Sequence, residues 1–254
     1  MSPTCPVRPL TVAVAAAALL AGCGGGSGAD GAGSSNPAAP TATALAENGV
    51  ADLPATEILA KAKAALTQAS SVHIMGGGFS EGQQFALDMR YGTAGAAGSL
   101  TANGQVIELR RVRSTVYLEG TEAFWRSVRG TAAAELLKGR YLEVPANRPD
   151  FAELTGFTDL EKNAAELVTP DGEIKKGERR TVHGIEAIAL DSSKEGGTLY
   201  IALRGEPYPL QAVSSAEATS GETGSLDFLD YGVPVTVTAP PADQVVDISK
   251  LGGG

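Results

Sequence analysis

Residues 83–91 read QQFALDMRY, and the large groups Phe85, Leu87, Met89 and Tyr91 alternate with Gln84, Ala86, Asp88 and Arg90. A period of two belongs to a strand with one dry and one wet face, because successive side chains point to opposite sides of a sheet. A helix would need its apolar groups to recur every ~3.6 residues. The alternation starts near Val72 and returns over residues 106–114 and 115–119, and Asn103-Gly104 lies between two such runs. That dipeptide signals a tight hairpin, since both turn positions require positive φ. After Pro170 and the Asp171-Gly172 turn, strands are expected over residues 173–182, 185–191, 198–204, 210–217, 224–230 and 233–239. His183-Gly184 marks another hairpin tip, and Leu199, Ile201 and Leu203 mark another dry face. Residues 244–248 read as a short edge strand or as coil. Connections this short cannot support parallel crossovers, so the sheet is expected to be antiparallel.

Two stretches depart from this period. Near Pro54 and Glu57 a helix is expected to begin, with Ile58, Leu59, Ala62, Ala65, Leu66 and Ala69 on one face and Lys61, Lys63 and Gln68 elsewhere. Between Thr121 and Val168 the chain reads as helical and holds its largest apolar groups, while Pro145, Pro149 and Gly156 divide it into short pieces. The plan is therefore α+β: a helix, about four strands, a helical insertion and about six strands. An antiparallel sheet of about ten strands, with its helices on one face, follows. A long twisted sheet curls and tends to wrap around what it covers.

The chain opens with a short polar stretch carrying Arg8, then an apolar run TVAVAAAALL over residues 11–20, then Leu20-Ala21-Gly22-Cys23. The apolar run is of signal-peptide length and too short to span a bilayer as a helix, which takes ~20 residues. Residues 1–22 read as a lipoprotein-type signal peptide. Residues 23–51 read as a lipidated cysteine followed by a disordered tether of Gly, Ser, Ala, Pro and Thr, which cannot offset its ordering entropy by burial. About 25 such residues reach ~25–30 Å. Residues 52–251 form one domain with no composition break. Cys5 leaves with the signal peptide, so the mature chain has a single cysteine and its domain is held by packing alone.

Cleavage removes Arg8 and no acid, taking the formal charge from −9 to about −10. That balance argues against nucleic acid and against anionic headgroups, both of which reward clustered Lys and Arg.

The lipobox, the tether, the opening helix ILAKAKAAL, the strands and the internal helical segment together resemble actinobacterial lipoproteins of the LppX and LprG type. The stretches FWRSV, AAELLKGRYLEVP, GEPYPL, GSLDFLDYG and APPADQVVD are similar to a set of lipoproteins of that group in filamentous actinobacteria. The resemblance implies a strongly curved antiparallel half-barrel with short helices on its concave face, and an apolar cavity between them for lipid or glycolipid chains. It implies acyl groups on Cys23 with no other cofactor, export to the outer face of the cytoplasmic membrane, and no catalytic residues. Phe85, Leu87, Trp125, Leu136, Phe151, Leu154, Phe157, Leu160 and Leu167 are then the candidates to line the cavity, although ordinary core packing explains each taken singly. An envelope sensory or protein-binding module of the same fold is the alternative.

Other constellations read as structural. Gly78-Phe79-Ser80-Glu81-Gly82 matches the hydrolase pattern G-x-S-x-G, but that elbow needs a helix after the serine and here a strand follows. Gly76, Gly77 and Gly78 read as a bulge or kink in a bent sheet. His73 and His183 have no acid or thiol at metal-ligand spacing, and no metal is expected. Asp227, Asp230 and Glu222 read as solvated acids around a turn. Arg110, Arg111 and Arg113 read as the outward face of a strand, with a headgroup contact at a cavity mouth as the functional alternative.

Overall fold

The computed structural model describes residues 45–80, 82–168, 172–193, 196–214 and 223–251. Leu20, Ala21, Gly22, Cys23 and the tether up to residue 44 lie outside the described residues, as does Glu222. Helix α1 spans Ala55–Gln68 with Pro54 before its first turn, and it buries Ile58, Ala62 and Leu66 at four-residue intervals. The hairpin strands follow as β1 (Ser71–Ser80), β2 (Gln83–Gly92), β3 (Gly95–Ala102), β4 (Gln105–Val112) and β5 (Thr115–Gly120). There are five of them, not about four. Strand β3 reads GAAGSLTA, and side chains that small leave almost no alternation to detect.

The insertion begins with α2 (Glu122–Leu137), capped by the Thr121 hydroxyl, which accepts a 3.1 Å hydrogen bond from the Phe124 N–H, and broken at Gly130 (φ 82°). Then come β6 (Tyr141–Pro145), a 3-10 turn at Pro149–Phe151, α3 (Ala152–Gly156) and α4 (Leu160–Leu167). The second strand group is β7 (Ile174–Val182), β8 (Ile185–Ser192), β9 (Gly197–Ala202), β10 (Pro209–Ser214) and β11 (Thr223–Leu229), and β12 (Val245–Asp247) ends it. Twelve strands form one sheet in the order β12-β6-β5-β4-β3-β2-β1-β11-β10-β9-β8-β7. Every neighbouring pair is antiparallel except β12 with β6, which is parallel. The expected short edge strand near the C-terminus is thus present, although it breaks the purely antiparallel rule.

Residues 233–239, expected as a strand, pair with nothing in the sheet. They leave β11 beside β1 and must reach β12 beside β6, so they cross the strands between. Pro234 and Pro240 lack N–H donors and disfavour ladder pairing. Val235 packs so closely on Gly92 that a Cβ there would lie 2.9 Å from the valine Cβ.

Cross-strand register sets the core. Phe228, Ile74, Met89, Gly98, Leu109, Leu118 and Leu142 are lateral neighbours on one face, and each side chain in the row is almost wholly buried. Helices α1 to α4 pack on this face. A smaller cluster of Val182, Ala187, Ala189, Tyr200, Ala202 and Leu210 occupies the opposite face. Gly76–Gly78 do not form a bulge, since the register with β2 and β11 runs through them unbroken. They allow close approach instead. A Cβ on Gly76 would lie 2.0 Å from the Ser225 carbonyl oxygen, and one on Gly78 would lie 1.9 Å from that of Thr223.

Candidate functional site

The apolar residues of the insertion come together on the helix face. Trp125, Leu87 and Phe151 are buried in the main core, and Leu154, Phe157, Leu160 and Leu167 are half-buried against it. Phe85 is half-buried two residues along β2 from Leu87 and shares its face. Leu136 is 37 % exposed, and its neighbour Leu137 is the side chain that α2 buries. A residue one place away on a helix is turned by ~100°, which is why a composition-based choice between adjacent leucines cannot locate the core side.

Two short helices hold Leu154, Leu160 and Leu167, with Phe157 between them, and a few polar ties fasten them to the sheet. The Tyr91 hydroxyl of β2 donates a 2.8 Å hydrogen bond to the Phe157 carbonyl. Burial pushes the Tyr91 phenol well above its ordinary pKa, with Asn163 opposing and Asp159 adding a smaller rise. Arg111 of β4 meets Asp159, just before α4, at 3.0 Å. Burial alone would raise the Asp159 carboxyl, but hydrogen bonds from Arg111 and from the Lys162 N–H outweigh it and hold the group below the usual carboxylate range. The Arg129 guanidinium sits 4.6 Å over the Phe151 ring.

Trp125 is wholly buried, stacks edge-on against Phe124 at 4.9 Å between ring centres, and its indole Nε1–H has no acceptor among the described residues. Leaving a buried donor unmatched costs ~1–3 kcal/mol. This group was among the cavity candidates for its size, and its orphaned donor was not legible from the sequence.

A pocket of about 410 Å³ opens where the end of the sheet meets α1 and α4, with Thr67, Ser70, Thr93, Arg111, Arg113 and Asp159 in its wall. Of the cavity candidates, only Leu160 reaches it. Arg111 and Arg113 line this pocket, with Arg111 matched by Asp159, whereas Arg110 lines a groove on the other face, so the three arginines are not gathered at one opening. A groove of about 470 Å³ lies on the opposite face, between Asp88, Arg90, Glu108 and Arg110 and the crossing residues Val235 and Val237.

The histidines are not isolated from acids. His73 is buried with Nε2 2.8 Å from Asp88 and Nδ1 3.5 Å from Asp230, while His183 Nε2 lies 2.9 Å from Asp227. Strand pairing brings together residues remote in sequence, so Asp227 and Asp230 serve two different histidines and are not merely solvated acids. Among the described residues no group of three His, Cys, Asp or Glu is arranged to hold a metal ion. Gly78, Phe79 and Ser80 end β1, Gly82 turns with φ 76°, and β2 follows at once, so the G-x-S-x-G stretch joins strand to strand. Glu81 lies outside the described residues.

No known family profile matches the chain, and no curated protein matches it. Among solved structures it is similar to LprF from Mycobacterium bovis, at 16 % identity and TM-score 0.49 over 73 % of this chain and 96 % of that one. It is similar to the lipoprotein LppX of Mycobacterium tuberculosis, at 15 % identity and TM-score 0.42 over 72 % and 99 %. A LolA superfamily protein from Nitrosomonas europaea matches at 11 % identity and TM-score 0.28 over 72 % and 95 %. Likeness at this level carries no function from those proteins to this chain.

Proposed function

We propose that this chain is an exported lipoprotein, cleaved before Cys23 and acylated there, whose domain takes up lipid or glycolipid chains between the sheet and its helices. The observation that carries the reading is the Trp125 indole N–H, wholly buried among apolar side chains without an acceptor. An ester carbonyl of a lipid, embedded with its chains, supplies that acceptor. The surroundings suit the uptake of chains. Helices α3 and α4 are short, α2 is broken at Gly130, and Leu154, Phe157, Leu160 and Leu167 are only half-buried. Among the described residues no helix is long and apolar enough to cross a membrane, and the acyl groups on Cys23 supply the attachment. The reading is of a binding and carrying protein without catalysis.

Trp125 is the chain's single tryptophan, so its fluorescence reports this site alone. The chain from residue 23 onward, with Cys23→Ser to prevent acylation, is mixed with phospholipids carrying a bromine or nitroxide on an acyl chain. Quenching of Trp125 that saturates with lipid is expected, together with co-purified lipid by mass spectrometry. Unquenched fluorescence and a lipid-free preparation would sink the cargo reading.

A further inference from the structure

Strand β7 is an outer edge of the sheet and carries Lys175, Lys176, Arg179 and Arg180 within six residues. Elsewhere Arg90, Arg110, Arg111, Arg126, Arg129, Arg148 and Arg204 each lie within 4 Å of a carboxylate, and the described cations that do not, such as Lys61, Arg113, Arg140 and Lys250, are not gathered four to a strand. Among the described residues none of the four β7 cations lies so close to a carboxylate, in a chain whose formal charge is −9. Asp191 is the cross-strand neighbour of Lys175, but its Oδ1 accepts a 2.8 Å hydrogen bond from the Thr198 hydroxyl. Glu173 and Glu178 are exposed beside the run. The partners that do hold these cations are neutral. Lys176 Nζ donates to the Ala51 carbonyl at 2.7 Å, and Arg180 donates to the Tyr200 hydroxyl at 3.0 Å while lying over that ring. Such partners fix a cation in place without cancelling its charge. Cations on an edge strand also deter pairing with a foreign strand. That device does not account for the missing carboxylates.

The chain enters the domain at this same edge. Arg204 donates to the Leu45 carbonyl at 3.3 Å, the Asn48 N–H donates to the Leu203 carbonyl at 3.0 Å, and the backbone then reaches Lys176 at Ala51. If the residues between Cys23 and Leu45 form the tether their composition suggests, they span ~25 Å. On the anchored reading, the segment that follows Cys23 joins the domain at this edge.

We propose that the β7 edge, through Lys175, Lys176, Arg179 and Arg180, is the face the domain lays against an anionic lipid surface. This rests on the anchored-lipoprotein reading and is independent of any cargo. The acidic remainder of the domain is repelled by the same surface, so attraction at one edge and repulsion elsewhere orient the molecule.

The unacylated chain from residue 23, carrying Cys23→Ser, tests this by sedimentation with vesicles of phosphatidylcholine alone or mixed with phosphatidylglycerol. Binding is expected only with phosphatidylglycerol, and it is expected to weaken as salt rises. Lys175→Gln with Arg179→Gln, two side chains with no polar partner among the described residues, is expected to weaken it about 25-fold, at about fivefold per cation. Arg140→Gln with Lys250→Gln removes the same charge elsewhere and is expected to leave most of the binding. Equal loss in both double variants, or no vesicle binding at all, overturns the proposal, even if an envelope protein is retained through the same residues. Lipid quenching of Trp125, read on the same samples, separates the two readings: its absence with vesicle binding intact removes the cargo and leaves the edge. An unacylated native chain, found by mass spectrometry, removes the anchor without altering the vesicle result.

Discussion

The Tyr91 hydroxyl donates a 2.8 Å hydrogen bond to the Phe157 carbonyl, joining the middle of the sheet to the junction of α3 and α4. The tyrosine is almost fully buried, and residue 91 is separated from 157 by most of the hairpins and the whole of α2. The insertion helices are therefore fastened from beneath, where Leu154, Phe157 and Leu160 are half-buried.

Replacing Tyr91 with Phe keeps the ring and leaves the Phe157 carbonyl without its donor. A loss of about 1–2 kcal/mol is expected. Thermal melting measures it, and hydrogen exchange should show α3 and α4 opening before the strands. Uniform loss of protection across the sheet would show that the bond does not secure the helices in particular.

Asp159 is held below the ordinary carboxylate range in the folded chain, so its contribution to stability is complete above the unfolded pKa of ~3.9 and disappears as pH falls through the lower folded value. Asp159→Ala also removes the carboxylate that accepts from the Lys162 N–H. It is expected to cost about 1 kcal/mol at neutral pH. In urea titrations the gap between wild type and variant should narrow as pH falls below the unfolded value and through the lower folded one. A gap independent of pH would contradict the sign argued for this carboxylate.

Gly98 lies in the buried lateral row with Met89, and a Cβ there would meet the Asp88 carbonyl oxygen at 1.9 Å and the Met89 sulfur at 2.8 Å. Gly98→Ala is expected to lose about 3 kcal/mol through forced displacement of backbone. Gly156 has open space around its Cβ position at the end of α3, and Gly156→Ala should gain about 0.5 kcal/mol by restricting the unfolded chain. Chemical denaturation of the pair is the check, and similar effects from both would contradict the packing argument.

The two carboxylates at His73 differ in geometry, with Asp88 at 2.8 Å and Asp230 at 3.5 Å and 57 % exposed. Asp88→Ala leaves a buried ring nitrogen without its acid and is expected to cost about 1–3 kcal/mol. Asp230→Ala should cost less than about 0.5 kcal/mol. The order of the two midpoints in urea tests this, and reversal would make the Asp230 contact the stronger one.

Much of the architecture was legible because it depends on local period. The Gln83–Gly92 strand, the Asn103-Gly104 turn and the Ile58, Ala62, Leu66 face of α1 each follow from a few consecutive residues. The errors share a cause as well. Residues 233–239 alternate like a strand, but their path is imposed by where β11 and β12 lie. Tyr141–Pro145 becomes a strand because it meets both β5 and β12, inside a stretch whose large apolar residues suggested helix.

The site divides in the same way. Trp125 stood out by size, yet whether its N–H finds an acceptor depends on every atom packed around it. The charges at residues 175, 176, 179 and 180 were visible in a run, but the overall acidity of the chain concealed their use. Their significance required knowing that β7 ends the sheet and that the chain enters beside it.

Backbone period, turn chemistry and the leader pattern before Cys23 act over a few residues, so the chain's order of elements, its α+β class and the expectation of export could be argued from the one-dimensional string. Strand order, the pairing of His73 with Asp88 and Asp230, the orphaned Trp125 donor and the basic edge depend on contacts between distant segments. Those contacts are selected by burial and register across the whole sheet, a collective minimum that no short stretch of residues encodes.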